Sequence, residues 1–284
     1  MPLHITPSHS HAMVPLSPLL RWAGSKRSSL PMLSVYCDTG CKRYLEPFCG
    51  SAALFFHLRP QKAILSDINH HLINFYNVLK DSPGDLYDHA VSIPRNAETF
   101  YRTRDSFNKS DDTFVRASLF YYLNKNCFNG LFRTSRAGAF NVPFSPSRTG
   151  EYPHKVVFLQ AAAAIRSAAF VCADFERVLL EYCREGDFVF LDPPYSATTR
   201  YPFREYFPGC FTESDIRRLI RVLDTIDSRG AIFLVSFSAS FVDDVAERGW
   251  QINSINTRRN ISGFAGARKY VRDITVTNRS VYGA

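Results

Sequence analysis

Phe188-Val189-Phe190-Leu191-Asp192-Pro193-Pro194-Tyr195 is the stretch whose reading decides the fold. Its first four residues are apolar and predict a short, fully buried strand. The strand ends abruptly in an acid, two prolines and a tyrosine. Proline has no N–H to give a sheet ladder, and Pro193 also pushes Asp192 toward an extended backbone. A rigid elbow at the carboxyl end of a buried strand lies where open α/β sheets place their ligands. The elbow offers a carboxylate, backbone carbonyls and an aromatic face. An exocyclic amine held in a plane could use all three.

The chain around it has 284 residues, a net charge of +8 and 45% hydrophobic residues. That composition supports a full-sized core with room for one inserted subdomain and excludes a disordered chain. The positive balance favours a polyanionic partner. The 24 Phe and 14 Tyr could stack on bases, and they fit a Phe-rich core under a basic surface equally well. Seven cysteines, odd in number and scattered, predict reduced thiols and a cytoplasmic setting. No second Cys/His pair follows Cys37 and Cys41 at zinc spacing, so no metal site is expected. No run is long and apolar enough for a membrane span or a signal segment. Residues 1–17, with His4, His9 and His11 among prolines and serines, read as a disordered tail.

Two stretches ahead of the elbow extend the α/β reading. Tyr44-Leu45-Glu46-Pro47-Phe48-Cys49-Gly50-Ser51-Ala52 is a short strand running into a small-residue turn, with an apolar helix after it. Gly50, Ser51 and Ala52 let a ligand approach the backbone and the helix N-terminus. The turn has no lysine, so it is not a phosphate-cradling loop. Ala63-Ile64-Leu65-Ser66-Asp67-Ile68-Asn69 is a second strand ending in an acid. Asp67 stands where nucleotide sites bind ribose hydroxyls, and it could equally cap the helix from Ile68 to Leu79. Upstream, Arg21-Trp22-Ala23-Gly24-Ser25-Lys26 reads either as a loop closing over a small anionic or zwitterionic ligand or as a loop around a core tryptophan.

From about His70 to His154 the pattern changes to helices, including an amphipathic one over Phe114–Leu123. An exposed hairpin follows, from Asn124 to Pro143. Thr113–Gly150 holds five basic residues and no acidic one, which suits a nucleic-acid groove or a solvated loop. The α/β pattern then resumes. Ala168–Phe175 is a third strand ending in Asp174, and the elbow strand is the fourth. Phe211–Ile226 is a helix capped by Thr212 with Asp215 at the capping-box position. Ala231–Phe237 is a fifth strand, and 250–256 and 273–278 form an antiparallel pair. Between that pair, Arg258 to Lys269 reads as a basic, glycine-containing loop.

These blocks, in this order, resemble the Dam-type (D12 class, α group) DNA adenine-N6 methyltransferases. The resemblance spans about Leu19 to Asn278. It is carried by Arg21–Lys26, Glu46-Pro47-Phe48-Cys49-Gly50, Asp67-Ile68-Asn69 and Asp192-Pro193-Pro194-Tyr195. Phe107-Asn108-Lys109-Ser110, Asn129-Gly130-Leu131-Phe132-Arg133 and Phe140-Asn141-Val142-Pro143-Phe144 carry it too. It implies a Rossmann-like, seven-stranded, mostly parallel sheet over residues 18–69 and 155–284, with a mainly helical target-recognition insert at 70–154 that carries the β-hairpin.

It also implies S-adenosylmethionine as cofactor. Trp22, Ala23, Gly24 and Lys26 would line its methionine end, beside the turn formed by Glu46, Phe48, Gly50 and Ser51. Asp67 would take the ribose, Ile68 the adenine face, and Asp174 and Phe175 the adenine edge. Asp192 would stand between cofactor and substrate. The adenine N6 lone pair is delocalised into the ring and is a poor nucleophile. Asp192 and the Pro193 carbonyl would each accept an N6–H, while Pro194 stiffens the elbow and Tyr195 stacks on the flipped-out base.

On duplex DNA, the resemblance has Arg133 reading a guanine, Leu131 and Pro143 touching a thymine methyl, and Phe128 wedging where the adenine leaves. Asn129 would face the orphaned base. Lys109, Arg136, Arg258, Arg259 and Arg268 would contact phosphates. Departures are Ala52 for a usual glycine, Ala139 for an acid, and Ser145-Pro146-Ser147 after Phe144. GATC is the first expectation for the site, and a monomer suffices for one transfer per visit. An amino-methyltransferase acting on RNA or protein glutamine would lack the basic hairpin. A DNA-binding regulator that had lost catalysis would not need the intact Asp192–Tyr195.

Overall fold

Along each short strand, successive side chains enter opposite cores, and that alternation builds the molecule in layers. The computed structural model describes residues 16–37, 40–147, 149–194, 211–238, 245–260 and 268–279, with 28, 255–260 and 268–273 described by backbone alone. Seven strands form one sheet: β1 (Arg43–Glu46), β2 (Ala63–Asp67), β3 (Ala168–Cys172), β4 (Asp187–Leu191), β5 (Ile232–Ser238), β6 (Gln251–Asn260) and β7 (Arg268–Thr277). Their order is β3-β2-β1-β4-β5-β7-β6. β7 is antiparallel to both β5 and β6, and the other pairs are parallel. The expected Rossmann-like, mostly parallel α/β sheet is therefore what the chain builds.

Tyr44, Leu65, Phe188, Phe190 and Leu234 face one buried cluster, and their strand neighbours Leu45, Ile64, Val189, Leu191, Phe233 and Val235 face the other. The first cluster is covered by α1 (Leu30–Ser34), α2 (Ala53–Leu58), α3 (His70–Asp81), α4 (Pro83–Ser92), α5 (Ala97–Lys109), α6 (Thr113–Asn126) and α7 (Lys155–Ala164). The second is covered by α8 (Phe175–Tyr182) and α9 (Glu213–Ser228). β4 is buried at all five positions, as the apolar run Phe188–Leu191 requires, with Asp187 at its start. At the amino ends of β1 and β4, Arg43 grips Asp187 with two bonds of 3.0 and 2.7 Å.

Strand order reverses between β1 and β4. Their register pairs Tyr44 with Phe188 and Leu45 with Val189. Glu46 and Asp192 therefore leave neighbouring strands at the same carboxyl edge, the switch point where this architecture binds ligands.

Four local expectations are corrected. Asp67 does not cap α3: the Asn69 side chain accepts from His71 N and Leu72 N, because it sits one residue before the helix while Asp67 still ends β2. The helix over 114–123 is not amphipathic. α6 is buried at every position from Ala117 to Asn126, since helices enclose it on all sides. The basic stretch from Arg258 to Lys269 is not all loop. Arg258 and Arg259 belong to β6 and pair with Tyr270 and Lys269, and Arg268 belongs to β7 opposite Asn260. The ladder runs on past the apolar pattern because backbone pairing needs no apolar side chains. Residues 261–267 lie outside the described residues, as does the expected tail through residue 15. Finally, the hairpin between α6 and α7 is held by two isolated antiparallel bridges, Cys127 with Phe144 and Thr134 with Phe140, rather than by continuous strands.

Thr212 and Asp215 form the expected capping box on α9, with Asp215 Oδ2 accepting from Thr212 N at 2.9 Å.

Candidate active site

Three acids, Glu46, Asp67 and Asp192, end β1 and β2 or follow β4 at the carboxyl edge of the sheet. Each is held differently. Asp67 is fixed by backbone: Oδ2 accepts from Gly50 N at 3.1 Å and Oδ1 from Asn69 N at 3.0 Å. Burial raises its pKa against those N–H bonds. Glu46 is 3% exposed and accepts from Tyr44 OH at 2.9 Å. Burial pushes it up to about 8, with the Tyr44 bond opposing and the nearby Asp192 adding. Asp192 Oδ1 meets Lys26 Nζ at 2.8 Å, with the two side chains 17% and 12% exposed. A pair so shielded is far less screened than a surface pair.

The turn after β1 is clamped from three sides. Gly50 has φ +46°, and Ala52 also lies in the left-handed region at φ +53°. Tyr76 OH donates to Gly50 O at 2.8 Å. A methyl on Gly50 would come within 2.6 Å of Trp22 Cδ1, so the Trp22 ring packs against a position only glycine fits. Ser51 Oγ and Ser25 Oγ stand 3.2 Å apart. The Trp22–Lys26 loop is thus fastened to the turn, with Ala23 and Gly24 exposed between the fastenings.

Phe48 lies against Phe175 at 5.3 Å and Phe211 at 5.8 Å, forming an aromatic wall beside the turn. Ile68 is 71% exposed next to Asp67, an apolar side chain left uncovered at the ligand edge. Asp174 caps α8, accepting from Glu176 N, and is paired with Arg218 Nη2 at 2.7 Å. Pro193 is buried and Pro194 exposed. Tyr195 lies outside the described residues.

The hairpin stands on the other side of the Trp22 loop. Trp22 stacks on Phe132 at 6.4 Å. Asn124, buried in α6, takes Arg21 N at 2.9 Å and donates to Arg21 O at 2.7 Å. Phe128 N donates to Pro143 O at 2.9 Å, which sets those two residues across the hairpin from one another. Phe128 is 36% exposed, and Asn129 has φ +55°. Leu131 packs partly against the core, while Arg133, Arg136 and Pro143 are exposed on the hairpin. Lys109 is exposed at the C-terminal end of α5. Arg258, Arg259 and Arg268 lie in β6 and β7, away from this hairpin in sequence.

The model of the D12 class N6 adenine-specific DNA methyltransferases matches residues 22–261 of this chain. The chain belongs to that family. It is an adenine-specific DNA methyltransferase, and its substrate is DNA. The DNA adenine methylase of Vibrio cholerae is 32% identical over 262 residues, covering 90% of this chain and 93% of the relative. The DNA adenine methylase of Escherichia coli strain K12 is 32% identical over 266 residues, covering 90% and 92%. A type II methyltransferase of Lactococcus lactis subsp. cremoris is 30% identical over 272 residues, covering 93% and 95%. For this methyltransferase, sequence reasoning missed Tyr76, Ser25, Arg218 and the asparagines Asn108, Asn124 and Asn141 as supports of the site. The available signal was polar residues placed inside apolar runs, Asn124 after Tyr121-Tyr122-Leu123 being the plainest.

Proposed function

We propose that the enzyme transfers a methyl group from S-adenosylmethionine to N6 of a flipped-out adenine in duplex DNA, with GATC as the first target to test. Residues 18–69 and 155–284 are read as the catalytic part, and 70–154 as the part that recognises DNA. The reading is carried by one observation: Asp192 stands at the switch point with one oxygen on Lys26, beside a glycine turn, the buried Glu46 and the half-buried Asp67.

The residues fit this donor. The carboxyl groups of Glu46 and Asp67 offer hydrogen-bond acceptors at this edge, which suits a ligand bearing an ammonium and ribose hydroxyls. The Gly50 turn lets it approach the backbone, and Asp67 and Ile68 match a ribose and an adenine face. When bound, S-adenosylmethionine supplies an electrophilic methyl group. Lys26 holds the Asp192 carboxylate in place through Oδ1, and in this reading that carboxylate accepts one adenine N6–H. The Pro193 carbonyl accepts the other. Together they localise the N6 lone pair and aim it, so catalysis rests on positioning and electrostatics. The departing proton leaves from N6 toward Asp192 and solvent. Tyr195, next in the chain, supplies the face on which the flipped base stacks in this reading.

On the DNA side, Arg133 reads a guanine, Leu131 and Pro143 meet a thymine methyl, and Phe128 and Asn129 occupy the space the adenine leaves. Lys109, Arg136, Arg258, Arg259 and Arg268 are read as phosphate contacts. A monomer acting on DNA in the cytoplasm is sufficient for this chemistry. Radiolabelled methyl transfer to duplexes with and without GATC tests the reading: label should appear in N6-methyladenine only with GATC, and equal labelling of both duplexes would remove that target. Binding should weaken steeply with salt as phosphates are neutralised, and a flat salt response would remove the phosphate contacts.

A further inference from the structure

Arg133 is exposed, yet its guanidinium is not loose. Nε donates to Asn141 Oδ1 at 2.7 Å and Nη2 to Asn141 O at 3.4 Å. The backbone of the same two residues is joined as well, Asn141 N donating to Arg133 O at 3.1 Å. The residue before Asn141 is anchored to the protein body. Asn108 of α5 donates to Phe140 O at 3.1 Å and accepts from Phe140 N at 2.8 Å, and Phe140 is 4% exposed. A chain of amide contacts therefore runs from α5 through the Phe140 backbone to Asn141 and on to the guanidinium.

We propose that Asn141 is the positioning residue for guanine recognition: it occupies the Nε edge of Arg133 and presents the opposite, Nη edge to the DNA. The inference rests on the reading of Arg133 as the guanine contact and adds how that contact is aimed. An arginine can meet guanine O6 and N7 either through Nε and one Nη or through both Nη groups. With Nε taken by Asn141, the end-on approach is the one left. A long side chain on an exposed hairpin would otherwise have to be ordered at each binding event, and the brace removes much of that cost before DNA arrives. Asn108 serves the brace indirectly, by fixing the strand from which Asn141 projects.

The test measures kcat/KM on a panel of duplexes in which each base pair around the methylated adenine is changed singly. Asn141→Ala should lower discrimination at one guanine position roughly tenfold, as expected for losing orientation of a bidentate pair. Arg133→Ala should relax the same position further, and the double variant should match Arg133→Ala alone. Asn141→Asp, which keeps an acceptor for Nε, should restore discrimination while weakening binding to all duplexes by adding a negative charge. Asn141→Ser, too short to reach Nε, repeats the test should Asn141→Ala fold poorly. Wild-type discrimination in both Asn141→Ala and Asn141→Ser, with Arg133→Ala relaxed, would overturn the positioning role and leave the reading of Arg133 standing. Wild-type discrimination in Arg133→Ala would remove that reading itself, and the proposal with it.

Discussion

The two sides of the Trp22 loop are built by different means. On the sheet side, backbone N–H and C=O groups do the holding: Asp67 on Gly50 N, Tyr76 on Gly50 O, and Trp22 packed against a glycine with no room for a side chain. On the hairpin side, the holding is done by asparagine side chains: Asn124 on Arg21, Asn108 on Phe140 and Asn141 on Arg133. The difference teaches which part tolerates change. A cage made of backbone and buried carboxylates fails as a unit. A hairpin pinned by a few amides can change what it reads one residue at a time, while the sheet beneath keeps its shape.

The comparison can be broken first at Gly50. Alanine there would adopt an unfavourable positive φ and meet Trp22 at 2.6 Å. Gly50→Ala should cost about 4 kcal/mol of stability and displace the Trp22 loop. Denaturant unfolding checks it, and a loss below about 1 kcal/mol would mean the cage is softer than its geometry.

Glu46 gives the next largest effect. Burial holds it at about 8, against an ordinary 4.5. Across that window the folded protein keeps a proton that the unfolded chain releases, so this group's contribution to stability falls as pH rises from about 4.5 to about 8. Glu46→Gln removes the titration and should be more stable than the wild type at high pH, by a margin that grows across that window, changing little at low pH. Unfolding measured across that range decides the point, and an unchanged pH slope in the variant would show that Glu46 is ionised throughout.

Asn108→Ala sharpens the contrast. It removes two hydrogen bonds from one exposed side chain and should cost only about 1 kcal/mol globally. Amide exchange should nonetheless speed up at Phe140 and Asn141. Uniform protection across the hairpin would place the anchor elsewhere. The smallest effect is expected at Ala52. Glycine relieves the left-handed backbone but widens the unfolded ensemble, and the two terms nearly cancel, leaving a change within about 0.5 kcal/mol. A loss well beyond that in Ala52→Gly would mean that the buried methyl packs more tightly than the backbone strain suggests.

The sheet was legible because buried strands write themselves as short apolar runs. Phe188–Leu191 ends in a proline elbow, and Ala63–Asp67 ends in an acid. The acid edge followed from strand ends alone. Other features were not legible because they depend on where distant segments meet. Nothing local in Lys26 announces its pairing with Asp192, 166 residues on. Asp67 and Asn69 are two residues apart, and only the helix start shows which one caps it. The Arg258 and Arg268 ladder arms lack an apolar rhythm, so periodicity could not separate them from loop. The asparagine braces escaped because an amide that caps, clamps or aims looks the same in a linear string.

The most direct test is methyl transfer to adenine-containing duplex DNA by the wild-type enzyme and by Asp192→Ala, with folding of both confirmed by thermal melting. N6-methyladenine should form with the wild type, and kcat should fall by about a thousandfold in the variant, because one of the two groups that aim the amine is gone. Equal turnover by the two proteins would contradict that role for Asp192.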